Sequence, residues 1–270
     1  MVFAKGISFG QYIPAPSYIH GLDPRCKIIA VLVSMAAIFM TSSPYAMCLW
    51  GALLPAVVML SKIPMKAMLR SIRPVFILII FTAALHLFWS DGVPIFKAGP
   101  VVITDKGCLF AVQVSMRLLF LILYASILML TTSPSELSDG MELLLSPLGK
   151  VGFPVHETAM MMTIALRFIP TLFEETDRIM KAQISRGANF ETGGAVSRIK
   201  SYIPVLVPML ALVFQRADTL ATAMEARCYR GGRGRVRMAP LRWRMKDTLT
   251  LSIFTLLSAL IIIIDRLMFA

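Results

Sequence analysis

The stretch from Ile28 to Ser61, IIAVLVSMAAIFMTSSPYAMCLWGALLPAVVMLS, contains no charged residue and decides the class of fold. As one helix it would extend about 50 Å at about 1.5 Å per residue, whereas the hydrocarbon core of a bilayer is only about 30 Å thick. The stretch must therefore turn back, and Thr41-Ser42-Ser43-Pro44 is the turn-like sequence near its middle. It predicts two short membrane spans, at roughly 27–42 and 45–62.

The composition of the whole chain agrees with a membrane protein. Hydrophobic residues make up 57% of the 270 residues and charged residues 16%, and the mean hydropathy is +0.75. A soluble domain of this length needs more polar surface. Further spans are predicted at about 74–89, 108–130 and 248–264. The predicted fold class is an all-α membrane protein with about five transmembrane helices and a cytoplasmic coupling layer of two to three long helices.

The charges of the loops orient the predicted spans. The segment 62–73 carries lysines and arginines but no acid, whereas the loop between the third and fourth spans balances its lysines with aspartates. The positive-inside rule places 62–73 in the cytoplasm, and alternation places the N-terminus there too and the C-terminus outside. We expect three regions: an N-terminal membrane bundle (1–130), cytoplasmic coupling helices (131–246) and a C-terminal transmembrane helix (247–270).

The polar block that follows the fourth span begins with a strong helix start. Ser133-Pro134-Ser135-Glu136 combines an N-cap serine, a proline at the first helical position and a glutamate at the third. The helix should end near Ser146-Pro147, because proline cannot continue it.

Two longer helices should follow, at about 154–185 and 197–227, each with an apolar half and a charged half. Pro170 should bend or break the first helix. Pro204 and Pro208 interrupt the apolar half of the second. We therefore expect both apolar halves to be too short and too interrupted to span a bilayer alone.

Each long helix ends in an arginine at a turn of small residues. The first closes with Ser185-Arg186-Gly187 and the second with Ala226-Arg227-Cys228. Two matched arginine ends on one side of a membrane indicate that the helices bind a partner that moves. The alternative is that the helices form an amphipathic layer that only covers the membrane bundle. Arginine suits such a contact because its planar guanidinium makes two parallel bonds to one carboxylate. We take as supporting residues Ala182, Gln183, Glu225, Tyr229, Arg167 and Pro170.

Several motifs in chain order resemble one known family, the T component (the transmembrane coupling subunit) of energy-coupling factor (ECF) transporters. They are Leu22-Asp23-Pro24-Arg25-Cys26-Lys27, Thr132-Ser133-Pro134-Ser135-Glu136-Leu137, Ala165-Leu166-Arg167-Phe168-Ile169-Pro170 and the two arginine motifs. The first arginine motif has Ser where the family has Ala, and the second has Cys at a position of Gly. The extension from Glu225 to Gly232 is most similar to the shared type, which serves several substrate-binding proteins.

The resemblance implies that several subunits share the work of transport, each with its own function. Two ABC-type ATPase subunits would bind ATP with magnesium, and each would receive one helix end, with Arg186 or Arg227 paired to acidic groups. A small membrane-embedded S component would hold the vitamin or other micronutrient and reorient. This chain would lie in the bacterial cell membrane, be non-catalytic, and bind no cofactor or metal itself.

Other functions find less support in the residues. His156-Glu157 begins like a zinc-binding helix, but position 160 is Met where the second His is needed, and there is no phosphate-binding Gly-rich loop. Arg230–Arg235 resembles an RNA-binding Arg-Gly repeat, yet a single copy before a span favours contact with the lipid bilayer over nucleic acid. The alternatives that stay open are the membrane subunit of a conventional ABC permease and a T component dedicated to cobalt, nickel or biotin.

Overall fold

The computed structural model describes residues 12–89, 93–98, 101–190, 194–229, 231 and 241–269, and these are predominantly helical. The Arg230–Arg235 repeat lies almost entirely outside the described residues. A two-stranded antiparallel hairpin forms where the sequence predicted only a loop between the third and fourth spans. The all-α membrane class is confirmed. The elements in chain order are α1 (Pro24–Met40), α2 (Pro44–Ser61), α3 (Met65–Trp89), β1 (Pro94–Ala98), β2 (Val101–Thr104), α4 (Asp105–Thr131), α5 (Pro134–Leu145), a 3-10 helix (Ser146–Val151), α6 (Val155–Ser185), α7 (Ala195–Ala226) and α8 (Met245–Phe269).

These elements belong to two compact units. Of the described residues, the bundle unit comprises 12–143 and 241–269, and the paired-helix unit comprises those from 144 to 231. The bundle unit therefore contains α1 to α4, most of α5, and α8. The paired-helix unit contains α6 and α7.

Five helices in the described part of the chain are long and apolar enough to cross a bilayer: Pro44–Ser61, Met65–Trp89, Asp105–Thr131, Arg198–Ala226 and Met245–Leu267. Their number agrees with the prediction, but the set differs. The first predicted span corresponds to α1, which has only 17 residues. The expectation for the second long helix was wrong, because the stretch within α7 is both uninterrupted and long enough to qualify.

The prolines do not end these helices. Pro170 lies inside α6, Pro204 and Pro208 lie inside α7, and Pro74 lies inside α3, which starts well before the predicted span. Of the two predicted effects of Pro170, a break is therefore wrong, and a bend stays a prediction. A proline removes one intrahelical hydrogen bond, and the helix continues where the neighbouring turns and other donors compensate for the loss.

The predicted turns and caps are confirmed. α1 ends at Met40, and the Ser43 side chain caps α2 by accepting from the backbone N–H of Tyr45 at 3.2 Å. Before α5, Ser133 Oγ accepts from the backbone N–H of Glu136 at 3.3 Å, and the Glu136 carboxylate accepts from the backbone N–H of Ser133 at 3.1 Å. This reciprocal pair is the capping box that the sequence predicted.

Two buried aspartates of α8 align this helix with α1. Asp247 Oδ1 accepts from the backbone N–H of Asp23 at 2.9 Å, next to the start of α1. Asp265 accepts from the backbone N–H groups of Ser42 and Ser43 at 3.0 and 2.7 Å, just after the end of α1. The two carboxylates lie roughly 27 Å apart along the helix at about 1.5 Å per residue. α8 therefore runs parallel to α1 for almost its whole length.

An apolar core joins the helices of the bundle unit. Trp50 of α2 is fully buried, and its ring meets Tyr124 of α4 edge to face at 5.6 Å between centroids. The ring of Phe254 of α8 also contacts Tyr124, at 6.5 Å between centroids. Ile38 of α1 and Ile127 of α4 belong to the same buried cluster. The aromatic contacts thus tie α2, α4 and α8 together.

Candidate functional site

The end of α6 has a defined hydrogen-bonding geometry. Arg186 is the C-cap, and Gly187 after it has a φ of +89°. The backbone N–H of Gly187 donates to the carbonyl of Ile184 at 2.9 Å, and that of Ala188 donates to Gln183 at 2.9 Å. These two bonds form the Schellman motif, which satisfies the last carbonyls of a helix.

The end of α7 repeats this geometry. Arg227 is the C-cap, and Cys228 after it has a φ of +57°. The backbone N–H of Cys228 donates to Glu225 at 2.8 Å, and that of Tyr229 donates to Met224 at 3.0 Å. The two arginines therefore occupy equivalent positions in equivalent Schellman motifs, which the sequence alone predicted only as turns of small residues.

Both helix ends are accessible in the isolated chain. The side chains of Arg186 and Arg227 are exposed, as are those of Ser185 and Ala226. Within the part of the chain that the structure describes, neither guanidinium forms an ion pair. An exposed guanidinium at a helix C-terminus is stabilised by the helix dipole and keeps its five donors for another molecule.

The last third of α6 contacts the middle part of α7, and the two helices run in opposite directions there. Arg216 of α7 donates to Glu175 of α6 at 3.3 Å, and Arg178 lies 3.6 Å from the same carboxylate. Thr176 Oγ1 lies 3.4 Å from the sulfur of Met209. The Glu175 carboxylate thus lies close to one arginine of α6 and one arginine of α7.

A proline supports this crossing. The amide of Gln183 in α6 donates to the backbone carbonyl of Pro204 in α7 at 3.4 Å. In a regular helix that carbonyl would accept from residue 208, but Pro208 has no N–H. The carbonyl is therefore free to accept the bond from Gln183, and this predicted supporting residue lies at the contact between the helices.

The crossing separates the two arginines. Arg186 follows Gln183 by less than one turn and therefore lies near the level of Pro204. Arg227 lies on the far part of α7, roughly 35 Å beyond Pro204 at about 1.5 Å per residue. The two arginine-tipped helix ends therefore form two separate sites and not one.

The other predicted supporting residues fall into two groups. Ala182 and Glu225 lie in the last turns, where their backbone carbonyls accept from Arg186 and Cys228, and Tyr229 is half-buried after its motif. Arg167 and Pro170 are exposed but lie near the middle of α6, roughly 25 Å before Arg186 by helical rise. The structure does not bring them to either helix end.

The sequence did not identify the residues that hold the helices in place. Glu175 and Arg216 were seen only as members of charged halves, and Asp247 and Asp265 only as the boundaries of a span. An acid at each end of an apolar segment was the available signal for the two aspartates. No comparable signal pairs Glu175 with Arg216, because their contact depends on how α6 and α7 cross.

The first family motif, Leu22–Lys27, lies in the bundle unit at the start of α1, and it differs from the two helix ends that carry Arg186 and Arg227. Asp23 caps α1, and Arg25 forms two bonds to its carboxylate, each at 3.0 Å. Burial raises the pKa of Asp23, but the hydrogen bonds and charge of Arg25 outweigh this effect and hold the pKa below its usual value. The Arg25 guanidinium lies 5.4 Å from the centre of the Trp243 ring, just before α8.

The chain is similar to known proteins over nearly its whole length. Residues 15–238 match the family model described as the cobalt transport protein CbiQ. The chain is 49% identical over 266 residues to the energy-coupling factor transporter transmembrane protein EcfT of Thermanaerovibrio acidaminovorans, covering 98% of this chain and 99% of the relative. The protein of the same name from Heliobacterium modesticaldum is 50% identical over 243 residues, covering 90% of this chain and 91% of the relative. The one from Bacillus subtilis is 42% identical over 253 residues, covering 93% of this chain and 96% of the relative.

Proposed function

The chain belongs to the family of energy-coupling factor transporter transmembrane proteins, and we propose that it is the coupling subunit of such a transporter. In this function, ATP hydrolysis by two ABC-type ATPase subunits drives the reorientation of a small membrane-embedded substrate-binding protein. The observation that carries the proposal is the pair of equivalent Schellman motifs, each of which presents an exposed arginine.

Each helix end suits a groove lined with acidic groups. A guanidinium at the C-cap places a charged group at the end of the helix, where it can bind a carboxylate through two parallel bonds. A lysine at the same position would keep the charge but lose the second bond and the fixed direction. The Schellman motif ends the helix directly after the arginine, so that the chain turns away from the contact.

The separation of the two ends favours two docking partners over one. A span of roughly 35 Å along α7 is comparable to the diameter of a small domain. The ion pair between Arg216 and Glu175 and the bond between Gln183 and Pro204 hold the two helices together. A change in the distance between two ATPases would therefore act on opposite parts of one connected pair of helices.

The remaining parts of the proposal follow from family membership. ATP with magnesium would be bound by the ATPases, and the transported vitamin or other micronutrient by the substrate-binding protein. This chain would be non-catalytic and bind no cofactor, metal or nucleic acid. It would lie in the cell membrane of a bacterium, with its N-terminus and the arginine ends on the cytoplasmic side.

Co-purification of variants tests the proposal. We expect that Arg186→Ala and Arg227→Ala each weaken ATPase binding by about thirtyfold or more, because truncating one member of a desolvated charge pair costs about 2 kcal/mol or more. Arg186→Lys and Arg227→Lys should weaken binding less, because they lose only the second bond and the fixed direction. Lysine preserves the charge at the helix end, so that the stability of α6 or α7 should change little. Arg70→Ala, which removes an exposed arginine of α3, is the matched control.

The outcome is read in detergent-solubilised membranes, with a tag on this chain and mass spectrometry of the bound proteins. Two ABC-type ATPases with several small hydrophobic proteins would support a shared coupling subunit, and one such protein a dedicated subunit for cobalt, nickel or biotin. Co-purification of an extracellular receptor instead would indicate a conventional ABC permease. Full ATPase recovery and uptake in the double arginine variant would contradict the docking role.

A further inference from the structure

The bundle unit contains an apolar groove of about 410 Å³ between α1, α2, α4 and α8. This volume is within the range of about 300–1,000 Å³ that is typical of small-molecule sites. The α1 wall runs from Cys26 to Ser34 and the α8 wall from Leu249 to Leu257. Each wall is roughly 12 Å long at about 1.5 Å per residue, so that the groove is long and narrow.

The polarity of the groove changes along its length. Tyr18, Lys27, Thr131 and Thr250 line the end next to the start of α1 and α8. The other end is lined by apolar side chains, and the hydroxyl of Ser34 there is already bonded to the carbonyl of Val31 at 2.7 Å. A ligand that fits this gradient has a polar group at one end and a hydrocarbon chain at the other.

Two ammonium groups lie at the polar end of the groove. Lys27 is 6% exposed, and its ammonium donates to the backbone carbonyls of Thr131 at 3.0 Å and His20 at 3.3 Å. Lys246 precedes Thr250 by one helical turn, and its ammonium donates to the carbonyl of Gly21. Gly21 lies in the segment that lines this end of the groove.

The acids of this end are already occupied. Asp23 pairs with Arg25, Asp247 accepts backbone N–H groups of Asp23 and Arg244, and Glu136 belongs to the capping box of α5. Within the described residues, no carboxylate forms an ion pair with Lys27 or Lys246. A buried ammonium whose acceptors are carbonyls gains from an added anion, because a phosphate adds a charge–charge attraction that a neutral carbonyl does not supply.

We propose that this groove binds an anionic phospholipid, with one acyl chain along α1 and α8 and the phosphate beside Lys27 and Lys246. The walls belong to helices that lie in the bilayer, so that lipid hydrocarbon is the molecule that surrounds the opening. Negatively charged headgroups complement the two ammonium groups, whereas a zwitterionic headgroup brings an equal positive charge to the same place.

Native mass spectrometry of the full chain in detergent tests the site, with phosphatidylglycerol and phosphatidylcholine of identical acyl chains added at equal concentration. We expect wild-type protein to retain phosphatidylglycerol at least fivefold more than phosphatidylcholine. Ala56→Phe fills the groove from α2 and should abolish this retention. Ala52→Phe is the matched control, because Ala52 is also exposed on α2 but does not line the groove.

Two further variants make the result decisive. Ala30→Phe fills the groove from α1 and should cause the same loss as Ala56→Phe. Lys246→Gln should reduce the preference for phosphatidylglycerol severalfold, whereas Lys66→Gln, an exposed lysine that does not line the groove, should leave it unchanged. Equal lipid retention in Ala56→Phe and Ala52→Phe would overturn the site. Equal retention of the two lipids by wild-type protein would overturn the role of the anionic headgroup.

Discussion

At the residue scale, the two matched helix ends differ in backbone strain. The residue after each arginine has a positive φ, which is +89° at Gly187 and +57° at Cys228. Glycine adopts this left-handed conformation freely, whereas it costs a residue with a Cβ roughly 1–2 kcal/mol. The sequence predicted a small residue at each turn, but only the backbone shows that the left-handed conformation is what the position requires.

Replacement of Cys228 by glycine should therefore stabilise the end of α7 by about 1 kcal/mol. Cys228→Ala should bring no such gain, because alanine keeps the Cβ that causes the strain. The measurement is hydrogen–deuterium exchange of a peptide that covers Met224 to Tyr229, where we expect slower exchange in Cys228→Gly alone. Equal protection in both variants would contradict the assignment of strain to this residue.

The ionisation of Asp23 makes the start of α1 sensitive to acid. Its pKa lies below the usual value in the folded chain. The stabilisation from its ionised form is therefore fully present above the unfolded pKa of about 3.9, and is lost as the pH falls through the folded value. We expect exchange at residues 20–27, corrected for intrinsic rates, to be constant from about pH 7 to 5 and to rise below about pH 4. Asp23→Asn should exchange faster at pH 7 and lack the rise, and an unchanged acid response in this variant would contradict the assignment.

At the scale of the element, the sequence predicted where most helices begin and end, because those signals are local. The α1–α2 turn, the capping box of α5 and both arginine-tipped ends depend on residues a few positions apart. The continuity of α6 and α7 through their prolines could not be predicted in this way. It depends on partners distant in sequence, as Gln183 is for the carbonyl of Pro204.

Asp265 should be essential for the stability of the α1–α2 turn. Its carboxylate is 3% exposed and accepts two backbone N–H groups, and each buried N–H that loses its partner costs about 1–3 kcal/mol. We expect Asp265→Ala to lower the free energy of unfolding by about 2–4 kcal/mol in a denaturing-detergent titration. Asp265→Asn keeps one acceptor and should lose less. Asp218→Ala, an exposed acid on α7, should change the free energy by less than about 0.5 kcal/mol.

At the scale of the whole molecule, the bundle unit brings separate basic segments to one end. Asp247 joins the start of α8 to the start of α1, and Lys27 joins the start of α1 to Thr131 at the end of α4. Gln113 and Tyr124 of α4 donate to the carbonyls of Ser42 and Trp50, so that α2 runs in the same direction as α4 and ends near the level of Thr131. The basic segment 62–73 therefore shares an end with Arg244 and Lys246, as the alternation of predicted spans requires.

Which side of the membrane this end faces can be decided by cysteine labelling. Lys66 is exposed at the basic end, and Val93 is exposed between α3 and β1 at the other. The four native cysteines would first be replaced, with glycine at Cys228. A membrane-impermeant maleimide on intact cells should label Val93→Cys at least tenfold more than Lys66→Cys, because positively charged segments remain in the cytoplasm. After permeabilisation the two positions should label equally, which controls for reactivity. Labelling of Lys66→Cys alone in intact cells would contradict the predicted orientation of the spans in the bundle unit.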